Sequence, residues 1–168
     1  KFIILGVASS WAPRKGLDVF VKLAEDLPEE YQIVIVGIDE REKNKLPETI
    51  ISITRTNNQK ELAEIYSVAD VFVNPTREEN FPTTNIEALA CGTGVITYRT
   101  GGSPEIIDQE TGVVVEKDNY DELKQAIFKV KKDGTFSKEK CRNRSMKYSR
   151  DERYKEYVEL FESILEGR

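Results

Sequence analysis

The sequence contains no histidine among its 168 residues. Without an imidazole, the chain cannot form a Ser-His-Asp or Cys-His catalytic group, and it cannot bind zinc through histidine. It has only two cysteines, which are too few for a disulfide framework and favour a reducing compartment. Any chemistry that the chain performs must therefore rely on carboxylates, lysine, arginine, hydroxyls and backbone groups.

Long apolar runs and an excess of basic residues are also missing. No apolar run approaches the roughly 18 residues that a membrane-spanning helix needs. The chain has 25 basic and 30 acidic residues, whereas a dedicated nucleic-acid-binding domain usually carries a basic excess. We therefore expect no nucleic-acid partner. What the sequence does have is 39% hydrophobic residues, enough for the core of a single domain that covers residues 1–168.

The start of the chain is apolar from the second residue onward. Lys1 leads directly into Phe2–Leu5, with neither an initiator methionine nor the pattern of a signal peptide. We therefore expect the chain to be a piece of a longer protein, and we expect that protein to be cytoplasmic.

Short apolar runs alternate with amphipathic stretches along the chain, which is typical of strand–helix units on a parallel sheet. The pattern predicts a Rossmann-like three-layer α/β/α fold with a six-stranded, mostly parallel sheet and a helical C-terminal tail. The predicted strands are Phe2–Ala8, Ile33–Val36, Ile50–Thr54, Val71–Val73, Val95–Tyr98 and Val113–Val115. The predicted helices are Leu17–Leu27, Asn58–Val68, Thr84–Cys91, a short helix capped by Ser103, Asn119–Lys132 and a tail that is helical from Ser137 onward.

The helical tail, residues 138–168, is basic in its first half. Between Lys138 and Lys155 there are eight basic and three acidic residues. Such a run is typical of a solvated helix face. It would also suit a peripheral contact with anionic lipid at the inner face of a membrane, or a contact with a missing partner domain.

In an open parallel sheet, ligands bind at the carboxyl ends of the strands. The loop after the first predicted strand, residues 9–16, contains two serines together with Arg14 and Lys15. It lacks the Gly-x-Gly-x-x-Gly fingerprint of dinucleotide sites and the Gly-Lys-Ser/Thr of a P-loop. Two hydroxyls and two cations at a helix N-terminus suit an anionic group, although Arg14 and Lys15 would also fit as ordinary exposed charges.

Two carboxylates flank the start of the helix that follows the fourth predicted strand. Glu79 lies on the loop and Glu87 on the first helical turn, so both should face one mouth, where the free helix-end amides would hold a phosphate. A structural role is the alternative, because Thr84 and Glu87 have the spacing of a capping box and Glu79 fits an exposed loop acid. In the next loop, Gly101 and Gly102 would let the backbone approach a ligand, or form a plain turn.

Three stretches together resemble the C-terminal, donor-binding domain of retaining glycosyltransferases with the GT-B architecture, in the family called group 1. The stretch Arg14–Asp18 is similar to the family's Lys-Gly motif, and Ala69–Thr76 is similar to its Ala-Asp-hydrophobic-Pro-Ser strand. Residues Glu79–Thr93, followed by Gly101–Glu105, resemble its paired-glutamate motif and Gly-Gly loop. The resemblance extends over most of residues 1–132.

The resemblance implies a role for each of these loop residues. Glu87 would hold the ribose hydroxyls of a nucleotide, Glu79 would be the catalytic group that faces the transferred sugar, and Lys15 would bind the diphosphate. The nucleobase would lie near Gly37 and residues 55–56. The other residues implied in donor binding are Ser10, Arg14, Arg55, Thr56, Phe81, Thr83, Thr84, Gly101 and Gly102. Neither a metal ion nor a cofactor is expected, because the lysine and the helix-end amides would neutralise the phosphates.

The sequence departs from the family pattern at three of these positions. Ser10 stands where the family often has an arginine that binds the diphosphate, and Asn80 and Pro82 stand where it commonly has glycine. The loss of one charge-assisted hydrogen bond would weaken phosphate binding by about 1.5–3 kcal/mol, unless Arg14 or Arg99 replaces the missing cation.

The implied function is that of the donor-binding half of a bacterial enzyme, which transfers a sugar from a nucleoside-diphosphate sugar, UDP-linked, to a polysaccharide or glycolipid. The N-terminal acceptor-binding domain would be absent, and an apolar stripe in residues 154–165 would belong to the helix that returns to it. The isolated chain should then bind donor weakly and catalyse no transfer. A nucleotide-sugar epimerase-like domain and a non-catalytic nucleotide-binding module stay open as alternatives. A signalling receiver domain is disfavoured, because Ser9 and Ser10 stand where it would need acids.

Overall fold

The computed structural model describes residues 1–167, in which helices cover both faces of a six-stranded sheet. The strands are β1 (Phe2–Val7), β2 (Tyr31–Val36), β3 (Ile50–Ile53), β4 (Val71–Asn74), β5 (Val95–Tyr98) and β6 (Gly112–Val115). The helices are α1 (Leu17–Asp26), α2 (Glu40–Lys43), α3 (Gln59–Val68), α4 (Thr83–Ala90), α5 (Ser103–Ile106), α6 (Tyr120–Asp133), α7 (Lys138–Met146) and α8 (Arg150–Glu166). A single 3₁₀ turn, Pro13–Lys15, lies between β1 and α1.

The strand order is β3-β2-β1-β4-β5-β6, and every neighbouring pair is parallel. The predicted fold class is therefore confirmed, with a sheet that is parallel throughout rather than mostly parallel. In register, Leu5 of β1 lies between Val34 of β2 and Phe72 of β4. The chain winds from β1 toward one edge of the sheet and from β4 toward the other. Ligands of doubly wound sheets bind where this direction reverses, here between β1 and β4.

Alternate strand residues point into two separate hydrophobic cores. Ile4, Val71 and Ile96 belong to the core on one face, while Leu5 and Phe72 belong to the core on the other. Helices α1 and α6 cover the first core, and α3, α4 and α7 cover the second. This two-sided burial explains why the strands read as continuous apolar runs rather than as an alternating pattern.

Side-chain caps fix where several of the helices begin, and two of them bear on the sequence predictions. Asn58 caps α3 as predicted, since its side chain accepts the N–H of Glu61 at 2.9 Å. Helix α2 was not predicted, because its short polar sequence has no apolar periodicity. It begins instead at a cap, where the Asp39 carboxylate accepts the N–H groups of Arg41 and Glu42, both at 2.8 Å. Local hydrogen bonding therefore specifies a helix that hydrophobic patterning does not reveal.

The tail is divided into two helices, whereas the sequence predicted one helical stretch. The division falls between Met146 and Arg150, where Ser149 caps α8 by accepting the N–H of Glu152. Helix α7 packs against α4 and buries Cys141, so it is part of the folded core, while α8 is exposed along most of its length. Among residues 1–167, no helix combines the length and the apolar character that a membrane crossing needs.

Candidate functional site

A cleft of about 720 Å³ opens at the carboxyl ends of β1 to β4, at the switch point of the sheet. Its walls come from the loops that follow these strands and from the first turns of α4. Most of the residues that the sequence predicted as a donor site line this cleft, namely Lys15, Gly37, Arg55, Thr56, Glu79, Phe81, Thr83, Thr84 and Glu87. The fold therefore brings together groups from four different loops.

Lys15 and Glu79, two charged residues of the cleft, form an ion pair. The ammonium group of Lys15 donates a hydrogen bond of 2.9 Å to Oε2 of Glu79, and the two side chains are only 23% and 15% exposed. The other carboxylate oxygen of Glu79 accepts the N–H of Asn80 at 3.0 Å. Gly16 allows the close approach, since at its φ of +77° a Cβ atom would lie 2.5 Å from the carbonyl oxygen of Pro75.

Backbone contacts lock the segment before Lys15 to the segment before Glu79. The N–H of Arg77 donates to the carbonyl oxygen of Arg14 at 2.8 Å, and the guanidinium of Arg14 donates to the carbonyl oxygen of Glu78 at 3.1 Å. Arg14 thus joins the two loops from outside the cleft. Its place beside Lys15 in the sequence had suggested a second phosphate ligand.

Glu87 is oriented by a buried tyrosine rather than by a capping box. The hydroxyl of Tyr66, a residue that is 1% exposed, donates to Oε2 of Glu87 at 3.1 Å. Burial and the neighbouring carboxylate raise the pKa of Tyr66, so the hydroxyl stays protonated and remains a donor. Helix α4 begins at Thr83, one residue earlier than predicted, and Thr84 makes no cap. The capping box of Thr84 and Glu87 is therefore not formed.

The N-terminus of α4 enters the cleft without a side-chain cap. Pro82 occupies the N-cap position, and no side chain bonds the first N–H groups of the helix. Thr83 and Thr84 line the cleft, and the N–H groups of a first helical turn have no partner within the helix. Buried Asn85 anchors this end of the helix, because its Oδ1 accepts Nδ2 of Asn74 on β4 at 2.8 Å. The cleft therefore contains a helix end suited to an anion.

The paired glycines support the Glu79 loop and do not line the cleft. The N–H of Gly102 donates to the carbonyl oxygen of Asn80 at 2.7 Å. A Cβ atom at Gly101, where φ is +48°, would lie 1.9 Å from the carbonyl oxygen of Glu79. In the structure the group that approaches these glycines closely is the Glu79 loop, and close approach to a ligand there stays a prediction.

Ser10 and Arg99 also lie outside the cleft. Ser10 is exposed, and the neighbouring Ser9 lines the wall instead. Arg99 is bound to the carboxylate of Glu116 at 2.6 Å. Neither Arg14 nor Arg99 lines the cleft of the ligand-free chain, and replacement of the cation that the family often has at the position of Ser10 stays a prediction.

Sequence reasoning missed two residues that organise the site. Tyr66 orients Glu87, and Arg77 connects the Glu79 loop to its neighbours. Tyr66 lies on the apolar face of α3, and its hydroxyl needs a hydrogen-bond partner there, which is a signal that the sequence contains. Arg77 is one of many charged residues, and nothing in the sequence distinguishes it. Within the described part of the chain, no group of three or more acidic or cysteine side chains is placed to hold a metal ion.

The fold and the position of the cleft place the chain in the class of doubly wound α/β domains that bind ligands at a switch point. The family model described as glycosyl transferases group 1 matches residues 1–152. The chain therefore belongs to the glycosyl transferases group 1 family, as the motifs predicted.

Curated relatives support the same family. A probable sucrose-phosphate synthase from Thermosipho melanesiensis is 33% identical over 155 residues, which cover 89% of this chain and 35% of that protein. The alpha-galactosylglucosyldiacylglycerol synthase of Streptococcus pneumoniae is 26% identical, and the match covers 96% of this chain and 46% of that protein. The chain thus spans less than half the length of these relatives.

Solved structures share the fold over most of the chain. The sucrose-phosphate synthase of Thermosynechococcus elongatus superposes with a TM-score of 0.82 at 23% identity, covering all of this chain and 47% of that one. HepE from Anabaena, in complex with UDP-glucose, superposes with a TM-score of 0.73 at 17% identity, covering 87% of this chain and 43% of that one. Both likenesses show a common fold, that of the GT-B glycosyltransferases.

The packing of Gly101 against the Glu79 loop predicts a specific cost for a methyl group at this position. Gly101→Ala should lower the free energy of unfolding by more than Gly92→Ala does, as measured by urea denaturation. Both glycines have positive φ, and an alanine in that conformation costs about 1–2 kcal/mol. Only at Gly101 would the new Cβ also collide with a backbone oxygen, whereas at Gly92 the nearest atom lies at 3.1 Å. An equal decrease in the free energy of unfolding for both variants would show that the Glu79 loop moves to accommodate the methyl group without a further energetic cost.

Proposed function

We propose that this chain binds the nucleoside-diphosphate sugar of a retaining glycosyltransferase, and that the whole protein transfers the sugar to a polysaccharide or glycolipid acceptor. The observation that carries the proposal is the convergence of Lys15, Glu79, Glu87 and the N-terminus of α4 on one cleft. UDP as the nucleotide is supported by the similar fold of HepE, which holds UDP-glucose. A glycolipid acceptor is supported by the relative that is named as a diacylglycerol glycoside synthase.

The diphosphate is assigned to Lys15 and to the N–H groups at the start of α4. During transfer, the bond between the anomeric carbon of the sugar and a phosphate oxygen breaks, and the nucleoside diphosphate leaves with the bonding electrons. An acceptor hydroxyl oxygen forms the new bond to the anomeric carbon and gives up its proton, which the departing phosphate can take. Negative charge therefore grows on the phosphates. A fixed ammonium group and a helix N-terminus stabilise that charge more in the transition state than in the ground state. The proposal assigns no metal ion or cofactor to this role.

Glu79 is assigned to the transferred sugar, as the catalytic carboxylate. In the ligand-free chain its Oε2 is bound to Lys15, so the diphosphate and this carboxylate compete for one ammonium group. Once the diphosphate takes Lys15, Glu79 keeps the hydrogen bond from the N–H of Asn80 and can accept from sugar hydroxyls. After the exchange, Lys15 faces the diphosphate and Glu79 keeps neutral hydrogen-bond donors, so neither charged group is left without a hydrogen-bond partner.

The nucleoside is assigned to the opposite wall of the cleft. The hydroxyl of Tyr66 binds one oxygen of Glu87, and the fixed carboxylate is suited to accept the two ribose hydroxyls. Gly37, Arg55 and Thr56 line the cleft beyond β2 and β3 and provide the surface for the base. Only glycine fits at position 37, because φ is +87° and a Cβ atom would lie 1.7 Å from the carbonyl oxygen of Ala8.

Acceptor binding is assigned to the rest of the protein. Helix α8 is assigned the contact between this chain and that further part. The apolar stripe of this helix, formed by Tyr154, Tyr157, Val158, Phe161 and Leu165, is more than half exposed. Burial of these side chains against a further, N-terminal domain would complete the enzyme, and the isolated chain should then catalyse no transfer. We also propose a cytoplasmic location.

A membrane contact through the basic tail has weaker support than the enzyme assignment. Lys138 donates to the carbonyl oxygen of Ser67, Lys140 pairs with Glu110, and Arg144 binds the carbonyl oxygens of Glu105 and Ile106. These cations bind the domain itself. A contact with anionic lipid at the inner face of the membrane would have to compete with those partners.

A non-catalytic nucleotide-binding module is the second candidate. The exposed Ser10, outside the cleft, favours it, because Lys15 then faces the diphosphate without the second cation of the family pattern. Sugar transfer by the full-length protein would exclude this module, and interconversion of two nucleotide sugars without an acceptor would favour an epimerase instead.

Calorimetric titration of the chain with UDP, GDP and ADP tests the proposed donor. UDP should bind, and it should bind more tightly than GDP or ADP, because the base surface at Gly37, Arg55 and Thr56 is assigned to uridine. Absence of binding of all three nucleotides at millimolar concentration would contradict the donor assignment. Preference for another nucleotide would contradict only the choice of UDP.

The two glutamates should respond differently to charge removal. Glu87→Gln should weaken UDP binding by roughly 10-fold to 100-fold, the equivalent of a lost charge-assisted hydrogen bond of about 1.5–3 kcal/mol. Glu79→Gln should bind UDP at least as tightly as the unaltered chain, because it releases Lys15 and removes no nucleotide contact. Glu64→Gln, on the exposed face of α3, is the control and should bind UDP normally. Calorimetric affinities that fall equally at positions 79 and 87 would contradict the division of roles.

A further inference from the structure

Arg77 lies two residues before Glu79 and connects three loops at the carboxyl edge of the sheet. Its Nη1 and Nη2 atoms donate to the two carboxylate oxygens of Asp18 at 2.8 and 2.7 Å. Its Nε donates to Asp118 at 2.6 Å, and Nη1 also donates to the carbonyl oxygen of Pro13 at 3.0 Å. The side chain does not line the cleft. Its contacts are therefore with the loops that carry the site, not with the space for a ligand.

The contacts of Arg77 surround the backbone that carries Lys15. Pro13 begins the 3₁₀ turn that ends at Lys15, and Asp18 lies in the first turn of the helix that follows. The main-chain N–H of Arg77 also holds the carbonyl oxygen of Arg14 at 2.8 Å. The position of Lys15 relative to the Glu79 loop is thus fixed from both sides of the turn by one residue.

Asp118 brings the loop after β6 into the same cluster. This residue has a φ of +61°, a conformation that is unfavourable for a residue with a side chain. The Asp18 carboxylate and that of Asp118 raise the pKa of Arg77, and the hydrogen bond from Arg77 lowers the pKa of Asp18. The geometry of the cluster is that of one guanidinium shared between two carboxylates.

We propose that Arg77 is a positioning residue, which sets the separation of Lys15 and Glu79 and so determines the affinity for a diphosphate. This inference rests on the proposed function. The bidentate pair with Asp18 and the second carboxylate of Asp118 form a charge network, so Arg77 also stabilises the fold. Its contacts are nevertheless concentrated on the turn that carries Lys15. Displacement of a binding group by ~1 Å can cost ~100-fold in activity.

Lysine cannot take over this role. A guanidinium presents several donors in one plane and binds a carboxylate through two parallel hydrogen bonds, whereas an ammonium group is a point charge. A lysine at position 77 could keep a contact with Asp18 or with Asp118, but it could not hold both of them and the Pro13 carbonyl group in the present geometry.

The test compares two ligands on the same variants. UDP carries the diphosphate that Lys15 is assigned to bind, whereas uridine uses only the Glu87 side of the cleft. Arg77→Met should weaken UDP binding by at least about tenfold and uridine binding by less than about twofold, with calorimetry for UDP and NMR titration for uridine. Arg77→Lys should show most of the same loss. Arg99→Met, which removes an arginine that pairs with one carboxylate at the same edge of the sheet, should change neither affinity.

A second variant distinguishes loss of the Arg77–Asp18 contact from a general folding defect. Asp18→Asn should also weaken UDP binding. The double variant Arg77→Met/Asp18→Asn should bind UDP as Arg77→Met alone does, because both changes break the same Arg77–Asp18 pair. Hydrogen exchange in the free variants should also show faster exchange of the Lys15 N–H, which bonds to the carbonyl oxygen of Ala12.

Each outcome separates this inference from the proposed function. If the unaltered chain binds UDP and Arg77→Met binds it equally well, the positioning role is wrong and the donor site stands. If Arg77→Met loses UDP and uridine in parallel, the role is wrong as well, because the residue then only stabilises the fold. If the unaltered chain fails to bind UDP, the proposed function fails, and the positioning role for a diphosphate fails with it.

Discussion

The meeting of the loop after β1 with the loop after β4 is the contact on which the site depends. The main-chain N–H of Arg77 donates to the carbonyl oxygen of Arg14, and the guanidinium of Arg14 donates to the carbonyl oxygen of Glu78. The Lys15–Glu79 ion pair completes the contact between the two loops. The strands β1 and β4 are neighbours only because the sheet reverses its winding direction between them. The topology therefore creates the cleft, and the ion pair determines which charges the cleft offers a ligand.

The sheet and the cleft could be predicted from the sequence because both follow from strong local signals. Strands buried on two faces read as apolar runs such as Val71–Val73, and parallel strands send their following loops to one edge. Glu79 lies before the helix that follows β4, and Glu87 lies within that helix, so both glutamates were expected at that edge. Both residues line the cleft, as does Lys15 from the neighbouring loop.

The remaining features depend on contacts between loops, which leave no periodic signal. Gly101 looked like a ligand-binding turn, but its missing side chain admits the backbone of Glu79. Arg14 looked like a phosphate ligand, but its guanidinium bonds a carbonyl group. The capping box at Thr84 was wrong because α4 begins one residue earlier, and α2 was missed because only the Asp39 cap marks it. For Gly101 and Arg14, a partner far away in the sequence decided the role of the residue.

Lys15 is assigned to exchange Glu79 for the diphosphate of a nucleotide. Measurement of UDP affinity in Lys15→Met tests this assignment, with Lys22→Met at an exposed position of α1 as the control. The first change should weaken UDP binding by roughly 10-fold to 100-fold, as expected for the loss of a charge-assisted hydrogen bond, and the control should have no effect. Undiminished UDP binding by Lys15→Met would show that Lys15 does not hold the diphosphate.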